Sequence, residues 1–164
     1  MRSYYILGVF LITLMACQDN AATSNLKSTD LLQYGIPITI MAPDSIAVKS
    51  GNLGFSKDVT IKGEAPGFDL QIFAHNATTT DITKVKQEQL AEIKSNRYFS
   101  KIIQEDPDGF IYEMALDSTN LNYGFKYLRI QGDKEYTFQT AMVGTFSLEE
   151  AKGMYEAVKQ KEGK

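Results

Sequence analysis

Tyr123-Gly124-Phe125-Lys126-Tyr127-Leu128-Arg129-Ile130-Gln131-Gly132-Asp133-Lys134-Glu135-Tyr136-Thr137-Phe138-Gln139-Thr140 is the stretch on which the fold turns. Aromatic and β-branched residues alternate through it, and Gly132-Asp133 interrupts the alternation for two residues only. Two antiparallel strands, Tyr123 to Gln131 and Lys134 to Val143, joined by a tight type II′ turn are the reading. Working upstream, a strand from Arg97 to Gln104 leads into Asp106-Pro107-Asp108-Gly109, where Pro at the second place and Gly at the fourth suit a type I turn. The turn opens into Phe110, Tyr112, Met114 and Leu116, and a polar loop from Asp117 to Asn122 closes that strand. Downstream, Ser147-Leu148-Glu149-Glu150 is a capping box. It starts a helix whose Leu148, Ala151, Met154, Tyr155 and Val158 form one apolar stripe.

The first half of the chain is patterned less sharply. Ile36, Ile38 and Ile40 alternate until Pro43-Asp44 ends the run, which reads as a strand. Ser50 to Gly54 has the composition of a loop. Val59 to Ile61 and Phe68 to Ala74 flank a Gly63 to Gly67 turn, suggesting a hairpin. The period then changes: Ile82, Val85, Leu90 and Ile93 share a helical face behind a Thr80 or Asp81 cap, so a helix is expected over Ile82 to Ser95. The order of strands, helix, four strands and helix, connected by hairpins, gives an α+β fold with an antiparallel sheet flanked by helices. Strands such as Phe110 to Leu116 are apolar on both faces (Ile111 and Ala115 opposite Phe110, Tyr112 and Met114), as a sheet sandwiched between helices requires.

The chain has 164 residues, 17 basic and 20 acidic, and a single cysteine. A mild negative excess without clustered Lys and Arg argues against a nucleic-acid partner, whose binding depends on displacing counterions. One cysteine allows no internal disulfide. That cysteine ends Leu14-Met15-Ala16-Cys17, which follows Arg2 and an apolar run from Ile6 to Ala16. As a helix the run rises about 16 Å, well short of a hydrocarbon core of about 30 Å, so it reads as a secretory leader and not as a membrane span. The motif resembles a bacterial lipoprotein lipobox. The resemblance implies cleavage after residue 16, lipidation of Cys17, and anchorage to the membrane through more than one acyl chain. Gln18, in place of Asp, directly after the cysteine favours the outer membrane of the cell envelope. Residues 17 to 33 are then expected to be the lipidated cysteine and a flexible tether, disordered from Gln18 to Asp30. A single α+β domain follows, over residues 34 to 164, large enough to bury about two thirds of its unfolded surface.

Tyr34-Gly35-Ile36-Pro37-Ile38-Thr39-Ile40-Met41-Ala42-Pro43 early, and Glu135 to Thr140 leading into the Ser147 helix late, resemble the PsbP-like (Mog-type) α/β/α sandwich. That fold is shared by an extrinsic photosystem II subunit, the Ran-binding nuclear-import factors of Mog type and small bacterial envelope proteins. The resemblance covers roughly Tyr34 to Gln160. It implies a non-enzymatic protein that docks onto other proteins, and it transfers no metal- or Ran-binding motif, since none is matched residue by residue.

No reaction set emerges from the residues. His75 is the only histidine, and a zinc site needs several His or Cys ligands. Glu105, Asp106 and Asp108 lack EF-hand spacing and fit a turn. No Gly-x-Ser-x-Gly elbow offers a nucleophile, and Glu149-Glu150 suit a helix start. No cofactor or catalytic residue is expected. Asn76-Ala77-Thr78 matches the N-glycosylation sequon, and Asp44-Ser45-Ile46 and Asp117-Ser118-Thr119 resemble short O-glycosylation acceptors. Binding rests on the aromatics: Tyr112, Tyr123, Tyr127 and Tyr136, if they share a face, either belong to the core or edge an interaction surface. The expectation is a membrane-anchored module that binds or assembles an envelope protein partner. The alternative is an envelope enzyme using carboxylates or tyrosines, which requires a deep cleft of convergent polar groups.

Overall fold

A computed structural model describes residues 26–64 and 66–159. Residues 1 to 16, read as a lipoprotein leader, and Cys17, read as its lipidation site, lie outside the described residues. The architecture is α+β, with nine strands in two antiparallel sheets and two helices among the described residues. β1 (Leu26–Asp30) and β2 (Thr39–Pro43) form a two-stranded ribbon. β3 (Ile46–Asn52), β4 (Ser56–Gly63), β5 (Asp69–Asn76), β6 (Phe99–Asp106), β7 (Gly109–Ala115), β8 (Leu121–Gln131) and β9 (Lys134–Thr140) form the main sheet, in the order β3-β4-β5-β9-β8-β7-β6. α1 (Ile82–Ser95) links β5 to β6, and α2 (Leu148–Val158) follows β9.

The local signals act as their chemistry dictates. Asp81 caps α1 by accepting from the amides of Thr83 and Lys84, and Ser147 and Glu150 make both bonds of the capping box of α2. Gly132 takes φ +63° while no non-glycine residue among those described has positive φ, which excludes the type I′ alternative at the β8–β9 turn, where both central residues need it. Ile72 pairs with Phe138 and Tyr127 with Phe138, so β9 stitches the early hairpins to the late ones.

Strand alternation divides the core into two. Val59, Ile61, Leu70, Ile72, Ile111, Phe125 and Phe138 face α2 and pack with Met154, Tyr155 and Val158 and with Ile36, Ile38 and Ile40. Phe110 faces the other way, beneath Leu90 and Ile93 of α1, with Phe99, Ile102, Tyr112 and Met114 around it. α1 packs on β8 and β6; α2 packs on β8, β9, β7 and β2.

Tyr155 locks α2 in place. It is fully buried, its ring meets Phe125 and Tyr127 edge-on, and its hydroxyl donates to Asp106 Oδ2 at 2.8 Å. Gln104 Nε2 and Lys159 Nζ reach the same oxygen at 3.0 and 3.2 Å, and Lys86 of α1 donates to the Asp106 carbonyl. Gly109 makes the seating possible, because a Cβ there would fall 2.6 Å from the Lys126 carbonyl oxygen and 2.8 Å from the Tyr155 hydroxyl.

Three expectations are corrected. The tether read from 17 to 33 is folded from Leu26 onward: Leu26–Asp30 pairs with β2, and Leu31 is fully buried, because these leucines have apolar surface to hide and the polar residues between them tolerate an exposed ribbon. Ser50 to Asn52, read as loop, continues β3; pairing with Val59, Asp58 and Lys57 outweighs loop composition. The strand read to Val143 ends at Thr140, and Met142 and Val143 stand exposed in the loop before Ser147.

Two predictions follow from the α2 lock. Gly109→Ala should destabilise the protein by about 1–3 kcal/mol through overpacking; an unchanged midpoint in urea unfolding would contradict the seating. Burial of Asp106 acts to raise its pKa, but hydrogen bonds from Tyr155, Gln104 and Lys159 outweigh it and hold the carboxyl below its ordinary value. The stability it contributes is therefore present above the unfolded pKa near 3.8 and is lost as pH falls through the lower folded value. Asp106→Asn should flatten that acid limb of the stability profile, and an identical limb in the variant would refute the assignment.

Candidate functional site

The four tyrosines do not form one surface. Tyr123, Tyr127 and Tyr136 share the α2 face, but Tyr112 lies on the α1 face, because Tyr112 pairs with Gly124 while Glu113 pairs with Tyr123. Tyr127 and Tyr136 are buried core, Tyr127 packing on Phe138 at a ring distance of 5.7 Å. Tyr112 lays its ring over Gly124 and bonds Thr140, with burial pushing its phenol pKa up. Tyr123 bonds Glu113, whose carboxylate accepts from Ser100 at 2.8 Å and lies 3.4 Å from Lys101. The Tyr123 phenol and the Glu113 carboxylate are thus engaged with each other.

The other candidates are also accounted for locally. His75 Nε2 stands 3.3 Å from Glu135 Oε1. Asp106 accepts from Tyr155, and among the described residues no three His, Cys, Asp or Glu side chains are grouped so as to hold an ion. Asp117 accepts from the backbone amides of Thr119 and Asn120 and from both their side chains, which lowers its pKa to about 2 and makes it the organiser of the β7–β8 loop.

What the sequence reading missed lies on the α1 face, at the end of the sheet that α1 does not reach. There Ala47 and Lys49 of β3, Thr60 and Lys62 of β4, and Asp69 and Gln71 of β5 form the floor of a groove of about 430 Å³, walled by Ala141, Met142 and Val143. Met142 and Val143 are 74 and 85 % exposed, two apolar side chains held out beside a polar floor. Gln71 is only 8 % exposed; its Nε2 donates to Asp58 at 3.1 Å, but its Oε1 accepts no hydrogen bond. Asp69 Oδ2 stands 3.6 Å from Lys62, and its Oδ1 likewise has no partner. A buried acceptor left unmatched costs about 1–3 kcal/mol. Two such atoms lie just beneath one groove floor, and a third among the described residues, Gln89 Oε1, lies on α1.

The groove runs out to the edge of the sheet. Among the described residues no strand pairs with the outer side of β3, and its register with β4 is unbroken from Ile46 to Asn52. The opposite edge, β6, is interrupted by two register shifts, at Phe99/Lys101 and Ile102/Gln104. Irregularities of that kind blunt an edge against further pairing; a regular edge invites it. In the sequence, Ser45 to Lys49 alternates weakly and sits beside glycine and asparagine. The only available signal was the apolar pair Ile46 and Val48.

Two further hollows are less well equipped. One of about 530 Å³ lies between the ribbon and α2 at Leu26, Met41 and Lys152, and one of about 230 Å³ lies beside His75 and Phe55. Neither contains an unmatched buried acceptor.

If Gln71 is kept for binding and not for folding, Gln71→Met should leave stability unchanged or raise it by up to about 1 kcal/mol, since it removes an unmatched polar atom. A loss above about 2 kcal/mol in urea unfolding would make Gln71 a structural residue.

Comparison with protein-family models, with curated proteins and with solved structures finds no match, so the chain's groove and open edge stand on their own geometry.

Proposed function

We propose that this protein is a non-enzymatic binding module of the bacterial cell envelope, lipid-anchored through Cys17 and engaging a protein partner at the groove of β3, β4 and β5. The observation that carries the reading is the pair of unmatched acceptors, Gln71 Oε1 and Asp69 Oδ1, on a groove floor flanked by exposed Met142 and Val143. A polar floor beside an apolar wall suits a peptide, which brings amide donors and side chains together. The leader and the membrane as a lipid partner rest on the Leu14-Met15-Ala16-Cys17 motif, and the outer-membrane address on Gln18 after it. The PsbP-like α/β/α sandwich rests on element order, with α1 and α2 on opposite faces of one antiparallel sheet.

The binding reading is preferred to an enzyme for a chemical reason. The carboxylates and tyrosines that come together are engaged with each other: Asp106 with Tyr155, and Glu113 with Ser100 and Tyr123. A general acid or base needs a free side toward substrate.

Two measurements test the proposal. Cys17→Ser should abolish incorporation of fatty-acid label, and retained label would overturn the anchor. A photo-crosslinking residue in place of Thr60, on the groove floor, should trap a discrete envelope protein in the native host, whereas the same residue in place of Glu88, on the exposed side of α1, should not. Equal traces from the two positions would overturn the site.

A further inference from the structure

The outer edge of β3 carries a more specific reading, resting on the proposal that the groove beside it binds a protein. Backbone alternation fixes which groups of β3 are free. Leu53 N bonds Ser56 O at 2.7 Å and Glu64 N bonds Ser45 O at 3.2 Å, so the odd-numbered residues of this ladder are the hydrogen-bonded pairs. In an antiparallel ladder the intervening residues turn their N–H and C=O away from the partner. Ile46, Val48, Ser50 and Asn52 therefore present donors and acceptors outward, along a seven-residue strand with no bulge and no proline.

The side chains along the same edge define what fits. On the groove face the strand shows Ala47, Lys49 and Gly51, small residues on either side of a cation. A Cβ at Gly51 would meet nothing within 4 Å, so the space above it is open. No ion pair involves Lys49 among the described residues, and Lys62 stands beyond it, shared with Asp69. On the other face Ile46 and Val48 are half-buried against the edge of the core, leaving apolar surface for a neighbour to cover.

We propose that an extended segment of a partner protein adds to β3 as a further antiparallel strand, placing an acidic side chain opposite Lys49 and bulky apolar side chains over Ala47 and Gly51. Main-chain bonds to Ile46, Val48 and Ser50 supply the pairing, and the alternate side chains supply the choice of sequence. The acid opposite Lys49 sits in a directly facing cross-strand position, where opposite charges attract and like charges are disfavoured. That position also decides against a second copy of this chain paired about Lys49, which would bring two lysines face to face.

The test uses a seven-residue blocked peptide, Thr-Val-Thr-Glu-Thr-Val-Thr, its twin with Lys at the centre, and the folded protein. The Glu peptide should bind at least tenfold more tightly than the Lys peptide at low salt, with the difference shrinking as salt rises. Bound peptide should slow amide hydrogen exchange at Val48 and Ser50 at least tenfold, while Ala47 and Lys49, already bonded to β4, change little. Ser50→Pro removes an outward N–H without breaking the β4 ladder, because proline is tolerated on an edge strand when its nitrogen faces outward. It should abolish binding with the far-ultraviolet circular dichroism intact.

Lys49→Glu provides a second variant and should reverse the preference toward the Lys peptide. Equal binding of the two peptides, or exchange protection elsewhere than at Val48 and Ser50, would overturn the inference. So would concentration-dependent dimerisation that Ser50→Pro removes. If the crosslink from position 60 survives Ser50→Pro and Lys49→Glu unchanged, strand addition is refuted and the groove reading stands. If no crosslink forms in the unaltered protein, both fall.

Discussion

Seven strands are wider than one helix can cover. At about 4.8 Å between strands the main sheet is about 29 Å across, against about 10 Å for a helix with its side chains. Among the described residues each face has one α-helix, and the two faces meet the shortfall differently. Beside α2, the β1–β2 ribbon and the Ile36 to Ile40 segment cover the remaining apolar surface. Beside α1 no element extends over β3, β4 and β5 among the described residues, and the strands there carry Lys49, Thr60, Lys62 and Gln71 in place of apolar side chains.

The alternation of individual strands records that division. In β4, Val59 and Ile61 point to the covered face while Asp58, Thr60 and Lys62 point to the open one; in β5, Leu70 and Ile72 oppose Asp69 and Gln71. β7 and β8, enclosed by both helices, are apolar on both sides, with Phe110 and Leu128 opposite Ile111 and Phe125. Between these regimes sits Lys126, buried on the α1 face with its ammonium on Gln139 Oε1 at 2.7 Å and its pKa pushed down by burial. It marks where the dry half of that face gives way to the polar half. Gln71 and Asp69, both on β5 and two strands further out, each keep one acceptor oxygen for which folding supplied no partner.

The same geometry explains why α2 is anchored so firmly. A helix that closes the larger core together with the ribbon needs a fixed seat, and Tyr155 provides it by fitting against Gly109 and bonding Asp106 at the tip of the β6–β7 hairpin. Lys86 of α1 bonds the carbonyl of that same Asp106. Both helices are thereby tied to one turn at the β6 end of the sheet. The β3 end, without such a tie, is left regular, open and cationic at Lys49.

The sequence by itself determined whatever depends on near neighbours. The bounds of α1, its Asp81 cap, the Ser147 and Glu150 box, the β8–β9 turn and the two-faced character of β7 and β8 were all legible, since periodicity and capping act over a few residues. Tertiary structure decided the rest. Leu26–Asp30 became a strand only because β2 was there to pair with it. The tyrosines were sorted between faces by a register that no local pattern specifies. The groove and the free edge exist because β9 pairs with β5 and β8 across the sheet and sets β3 outermost. Strand order is a matter of contacts distant in the chain, and a one-residue change of register would move every side chain to the opposite face.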